Sequence, residues 1–427
     1  MNIEKYTNEI KQRREWIYLF LILAVLILYT SGLSYVNWNP TTSGWTKQIV
    51  SLILLAFFLL HFPKSKSYHF RGEVMLLMLI PYLSSFNTNA LYGQSFYDSI
   101  RVLSSNFVWI FYFILHRYKL KESTILKAFL IFSLAIVAIQ IIQQFTYPNA
   151  FFGVASEDSL IETGRTEVAE QRNGLWRFRM GNNAYFTCIC LFAMLMWARK
   201  KMSNTLIFLI ALMFVSVYLT LTRQVIGACL LAVFFSFFLG KKNGGMGKVL
   251  IFGAVLIGLL YSYSDVLFGS LAEQTGEDLN DSNIRILSAT YFWTESVSSP
   301  LVFLLGHGLP AGNGSFAQLT EQLQKIMGFF TVDVGFVGMI YNYGIIYVFL
   351  CYRILWKLFF SYKEGVPTYI RLFVIFAGVM SIMIFPMTRD TYYIVWCALM
   401  YIADLHINKT QKVVLGQNHK PISHVNV

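Results

Sequence analysis

The sequence predicts an all-α polytopic membrane protein of about twelve transmembrane helices with two long extracytoplasmic loops. Three observations predict it: composition, the spacing of apolar runs, and the alternation of charge between them. The chain has 427 residues, 56% of them hydrophobic and only 13% charged, with a mean hydropathy of +0.54. That leaves too little polar surface to coat a soluble globule, and the apolar runs are long. The net charge of +12 is read as a topology signal, not as a nucleic-acid footprint. Cys188, Cys190, Cys229, Cys351 and Cys397 all fall in apolar runs and read as small buried hydrophobes. Residues 1–15 are polar and the first apolar run is long enough to span and stay, so no secretory signal peptide is expected.

The expected spans are 16–36, 45–62, 73–91, 98–116, 124–146, 183–198, 204–222, 225–239, 248–264, 331–352, 369–387 and 390–406. Each approaches the roughly 20 residues that a bilayer requires. Pro81, Ser84, Ser85 and Asn87 dilute the third, and spans seven and eight are separated by little besides Arg223. With a cytoplasmic N-terminus (Lys5, Lys11, Arg13, Arg14), every loop on that side is basic: PKSKSYHFR, HRYKLK, ARKK, GKKNGGMGK, Arg353 to Lys363, and the tail from Lys409. This obeys the positive-inside rule and supports an even number of spans. The whole chain, 1–427, reads as a single membrane domain. The long outer loops are 147–182 and 265–330, and no internal repeat is evident.

Lysine and arginine then part company. Of nineteen lysines only Lys47 and Lys325 fall outside, whereas seven arginines do: Arg165, Arg172, Arg177, Arg179, Arg223, Arg285 and Arg389. A topology signal does not distinguish the two residues. Phosphate binding does, because guanidinium is always charged and grips phosphate through a planar fork.

Arg223, in LTLTRQVIGACLL, follows Thr220 and Thr222 at the outer end of span seven. It reads either as an interfacial arginine snorkelling to water or as an anion site recessed below the outer surface. WRFRMGNNAYF ends the first long loop. There Trp176, Arg177, Phe178 and Arg179 interleave aromatic and basic character, and Asn182 and Asn183 lead into the next span. Aromatics stack on sugar faces and amides bond hydroxyls. The plainer reading is an interfacial aromatic belt with ion pairs to Glu167 or Glu170. In the second loop, Ile284, Leu287, Tyr291 and Trp293 recur at roughly helical spacing and predict a helix lying on the membrane, with Arg285 near its start and Pro300 ending it. Gly306, Gly308, Gly312 and Gly314 then form a flexible turn around His307, which is either structural or catalytic. Asp333 sits alone in an apolar stretch at the outer edge of span ten, suited to a general base or to an arginine partner. Arg389 and Asp390 occupy a tight external turn. No metal-ligand spacing, Walker motif, GxSxG or dinucleotide fingerprint occurs, so no metal or cofactor is expected. A reaction on the outer face cannot draw on cytoplasmic nucleotides, so its donor must arrive activated.

Four segments resemble the O-antigen ligase/polymerase superfamily of bacterial inner membranes. They are the small-polar–Arg stretch at Arg223, Arg285 followed by Trp293 and PLVFLLGHGLPAG, DVGFVGMIYNYGIIY with Gly344 and Tyr347, and WRFRMGNN. The layout matches over nearly the whole chain. Where the ligases carry a histidine followed by a small polar residue, this chain has Asp333 and Val334, which points to the Wzy-type polymerase branch.

The resemblance implies a GT-C-like glycosyltransferase in the bacterial inner membrane, with both termini cytoplasmic. It would join repeat units carried on undecaprenyl pyrophosphate at the periplasmic face. Arg223 and Arg285 would clamp the pyrophosphate, with Arg179 or Arg389 assisting. Asp333, or else His307, would be the general base, and Trp176, Asn182 and Asn183 would meet sugar. Implied partners are the lipid-linked oligosaccharide, membrane lipid and a chain-length regulator protein; nucleic acid is not among them. The alternatives are a ligase using a lipid A-core acceptor, a flippase or exporter of lipid-linked sugars, and a structural scaffold.

Overall fold

The structure is a computed structural model that describes residues 3–29, 40–60, 68–147, 169–172, 174–178, 183–239, 283–361, 365–387 and 392–418. Among them about 82% are helical. The helices are α1 (Ile3–Tyr29), α2 (Pro40–Leu60), α3 (Arg71–Tyr92), α4 (Phe96–Leu103), α5 (Phe111–Tyr118), α6 (Glu122–Thr146), α7 (Asn183–Ala198), α8 (Asn204–Leu219), α9 (Arg223–Leu239), α10 (Ile284–Val297), α11 (Pro300–Leu305), α12 (Ser315–Lys325), α13 (Gly335–Phe360), α14 (Thr368–Met380) and α15 (Tyr393–Asn418). Every expected span carries helix except 248–264, which lies outside the described residues. Arg71–Tyr92, Phe96–Tyr118, Glu122–Thr146 and Gly335–Phe360 are long and apolar enough to cross a bilayer, by length and composition.

The packing is that of an apolar bundle turned outward. Residues 393–403 of α15 are almost completely buried, and Trp396 and Tyr401 are among the largest sealed side chains. A helix apolar on all sides belongs at the centre of a bundle. Large apolar side chains cover the outside instead: Leu60 is 79% exposed and Phe145 85%. The five cysteines are buried and unpaired, as expected for small hydrophobes.

The bundle has two chemically different ends. At one, Glu73 accepts from Lys357 (2.7 Å) and Arg353 (3.3 Å), Glu122 meets His406 (2.8 Å) and Tyr369 (2.6 Å), and buried Asp404 meets His116 (2.9 Å) and Tyr112. At the other end α3 finishes, α13 begins, and the α8–α9 turn carries Arg223.

Several expected spans are irregular, each for a physical reason. Span four is not one helix: a 3-10 stretch, Ser104–Ile110, joins α4 to α5. Tyr82 and Tyr29 donate to the carbonyls of Leu103 (3.0 Å) and Ser105 (2.7 Å), and Ser104 Oγ donates to Arg101 O (2.7 Å), so side chains compete with the α ladder. Span eleven stops at Met380, because residues beyond it turn back: Ser381 O and Met383 O accept the N–H groups of Phe336 (3.1 Å) and Gly335 (2.7 Å). The first long loop contains a hairpin: β1 (Ala169–Arg172) pairs antiparallel with β2 (Leu175–Phe178), placing Glu170 opposite Arg177.

The helix expected within the second long loop, on the membrane, packs against the bundle. α10 packs on α13, and α11 packs on α13 and α3. Pro300 does not only follow the end of α10; it opens α11 at its first turn, where its missing N–H costs nothing. The contact partner is equally irregular. α13 is broken at Gly344 (φ 79°, ψ 171°), nine residues past its start. A break interrupts the i to i−4 ladder, so the carbonyls before it need other donors. Tyr341 O and Asn342 O receive the N–H groups of His307 (2.7 Å) and Gly308 (2.8 Å). The two backbones touch: a Cβ at Gly344 would overlap the Leu304 carbonyl, and one at Gly306 would overlap the Asn342–Tyr343 peptide.

Gly344→Ala is therefore expected to destabilise the protein by about 1–3 kcal/mol or more, through overlap and strain together. Gly378→Ala, inside α14 with open space around its Cβ, is expected to be neutral or stabilising by about 0.5–1 kcal/mol. Thermal unfolding of the two variants in the same detergent compares them.

Candidate functional site

Arg223 owes its position to a strained turn. α8 ends at Leu219, and Leu221 then adopts a left-handed backbone (φ 44°) while its side chain stays buried. For a bulky residue this conformation costs on the order of 1–3 kcal/mol and persists only where the surroundings hold it. Here Leu221 N–H donates to Tyr218 O (2.8 Å), Thr222 Oγ1 donates to Thr220 O (2.9 Å), and Ile226 N–H donates to Thr222 O (3.1 Å). The turn ends α8 and starts α9 within three residues, leaving half-buried Arg223 as the first residue of α9. The helix dipole adds positive potential at that point.

Two neighbours hold the turn. Arg177 Nη2, from β2, donates to Thr222 Oγ1 at 3.2 Å, which brings a second arginine to the turn that carries Arg223. Gln224 Nε2 donates to Met380 O at 3.1 Å. Met380 ends α14 just before the carbonyls that cap the start of α13, and Asp333 lies in the 3-10 turn Thr331–Asp333 that leads into α13. Hairpin, α8–α9 turn, end of α14 and start of α13 are thus joined by short polar links at one end of the bundle. Asp333 is half-buried, and among the described residues no cation forms an ion pair with it.

Arg285 belongs to an element that adjoins the turn of Asp333. It is exposed in the first turn of α10, where Asn283 Oδ1 accepts its N–H (2.8 Å), and α10 packs against the Thr331–Asp333 turn. Arg285 shares a helix face with Ser288, Phe292 and Ser296, which are buried, so that face is turned to the bundle.

His307 lies deeper. It is 3% exposed, its Nδ1 is 2.8 Å from the Tyr92 hydroxyl, and its ring lies 4.3 Å from that of Tyr341. Its Nε2 is buried and has no partner at hydrogen-bond distance. Its backbone is pinned by α3: Thr88 Oγ1 donates to His307 O (2.5 Å), and Asn87 Nδ2 to Gly306 O (2.8 Å) and Leu301 O (3.2 Å).

Trp176, expected to meet sugar, is half-buried on β2 and makes its contacts with the end of α6. The Gln144 side chain brackets its backbone, accepting the N–H (2.9 Å) and donating to the carbonyl (2.5 Å), and its ring packs on Tyr147 at 4.3 Å. Trp176 fastens the hairpin to the end of α6. Asn183 is the first residue of α7. Arg179, Asn182, Arg389 and Asp390 lie outside the described residues.

Three features escaped sequence reasoning. Gln224 and Tyr92 are ordinary polar residues with no pattern around them. Arg101, which hydropathy places inside span four, lies in α4 with Asp98 at 3.5 Å. Asn87 and Thr88 carried a signal, since polar side chains in an apolar run demand partners. Compared with known proteins, the chain matches no family model and no curated sequence.

Replacing Asn87 by leucine removes the side-chain donor from a buried carbonyl, Gly306 O, and from a part-buried one, Leu301 O. Asn87→Leu is expected to cost about 1–3 kcal/mol, the penalty for buried polar groups without partners. Denaturation in detergent measures it, with Asn89→Leu, nearer the helix end and bonded only to Gln94 O, as the milder comparison.

Proposed function

We propose that this protein is a surface-polysaccharide polymerase of the bacterial inner membrane. It has twelve spans, both termini in the cytoplasm, and its site at the periplasmic face. The observation that carries the reading is that Arg177 bonds to Thr222, the residue before Arg223, at the same end of the bundle as Asp333 and Arg285. Lys121, Lys200 and Lys357 lie instead at the opposite end, beside Glu15, Glu122 and Glu73. A lipid pyrophosphate needs guanidinium forks on one side of the membrane; ammonium groups on the other side serve topology.

In the proposed reaction a growing glycan, linked to undecaprenyl pyrophosphate, meets the terminal sugar hydroxyl of a new lipid-linked unit. Asp333 takes the hydroxyl proton as the oxygen attacks the anomeric carbon. The bond from that carbon to the pyrophosphate oxygen breaks, and the departing undecaprenyl pyrophosphate carries away the electron pair. Arg223, Arg285 and Arg177 neutralise the charge that develops on it. Arg179 and Arg389 are further phosphate contacts in this reading, and Asn182 and Asn183 contacts to sugar. Asp333 is favoured over His307 as base because it is half-exposed, while His307 is sealed among Tyr92, Tyr341 and Phe316. Preorganised donors of this kind are worth about 2.7–4 kcal/mol each in transition-state stabilisation.

The test is purified protein in liposomes with synthetic undecaprenyl-linked repeat units, read by mass spectrometry. The wild type is expected to form longer glycans. Arg223→Lys, which keeps charge but loses the fork, and Arg285→Ala are each expected to lower the rate about 100-fold or more at normal protein level. Movement of lipid-linked units across the bilayer without a new glycosidic bond would establish a transporter instead, and transfer only to a lipid A-core acceptor would establish a ligase.

A further inference from the structure

We infer that Ile284–Leu309 is a re-entrant membrane element, entering and leaving on the same side, whose outward face is a contact surface for bilayer hydrocarbon. The inference is independent of the reaction proposed above.

The first support is an inverted polarity. On α10 the buried positions are Ser288, Phe292 and Ser296, two of them small hydroxyl residues. The exposed ones include Ile286, Leu287, Trp293 and Val297, each 41–47% exposed, and α11 adds Leu301 (56%) and Leu304 (42%). An element in water would place these residues the other way round. Small residues inside and apolar residues outside are how a helix packs against neighbours in lipid. Of the two charged residues in this stretch, Arg285 is exposed at its entry, and Glu295 is half-buried beside Tyr92, Tyr291 and Tyr341.

The second support is continuity. α11 packs between α3 and α13, both long and apolar enough to cross a bilayer. Their own exposed residues, Leu79 and Phe86 on α3 and Ile346 and Phe349 on α13, extend the same apolar surface.

Depth supplies the third. The tip of the element, Gly306–Gly308, bonds to Tyr341 and Asn342 and abuts Gly344. At about 1.5 Å per residue, these lie roughly 9–13 Å below the start of α13, within a hydrocarbon core about 30 Å thick. Irregular backbone survives at that depth only where protein satisfies its N–H and C=O groups. The tip's backbone is held in this way: the His307 and Gly308 N–H groups donate to α13, while the Leu301, Gly306 and His307 carbonyls accept from Asn87 and Thr88.

Spin labels at Leu301→Cys and Leu304→Cys test the inference in proteoliposomes, in a background with the five native cysteines replaced by alanine. Gln318→Cys on exposed α12 is the water-side control. The expected result is relaxation of the 301 and 304 labels by oxygen with loss of relaxation by a water-soluble nickel chelate, and the reverse at 318. Nickel relaxation at 301 and 304 as strong as at 318 overturns the inference. Should the cysteine-free background fail to fold, the unaltered chain serves through Trp293. Lipids brominated on their acyl chains are expected to quench it, and Trp293→Phe to remove that quenched component; quenching unchanged by Trp293→Phe overturns the inference as well.

Discussion

Two backbones meet with no side chain between them where Gly306–Gly308 crosses α13 at Tyr341–Gly344. A transmembrane helix interrupted in mid-course exposes carbonyls that lipid cannot satisfy. A loop that leaves the membrane surface exposes amides with the same difficulty. Each supplies what the other lacks, and the glycines permit the approach because neither backbone has room for a Cβ. Asn87 and Thr88 complete the arrangement from α3.

The end of the bundle that carries Arg223 depends on this crossing. With the tip held, α10 is fixed against α13 and the Thr331–Asp333 turn. A second set of links reaches the start of α13. The left-handed Leu221 compresses the α8–α9 connection, Gln224 ties it to α14, and the end of α14 caps α13. Strain at Leu221 and the break at Gly344 are local costs that position charge at one end of an otherwise apolar bundle.

Much of the architecture was legible because apolar runs and basic loops report directly on helices and their ends. The residues that diluted span three, Ser84 and Asn87 among them, proved to be the informative ones: they anchor the loop or line its seat. Hydropathy averages such residues into noise, and their partners lie more than two hundred residues away. The packing of the second long loop was not legible for a related reason. Helical periodicity revealed α10 and its apolar face, yet it could not show which side of that helix the protein covers. Among the candidate residues, Arg223, Arg285 and Asp333 lie on elements that adjoin. Trp176 is held to the end of α6 because Gln144 captures its backbone, a link that no sequence pattern announces. Arg177 gained weight only once the hairpin brought it to Thr222.

Hydrogen exchange of the intact protein in lipid nanodiscs probes the crossing most directly, through peptides covering residues 300–314. If the amides of His307 and Gly308 are bonded to Tyr341 and Asn342 inside the bundle, they exchange as slowly as the amides of α13 itself. Exchange within seconds, at the rate of an open glycine-rich loop, would contradict the account.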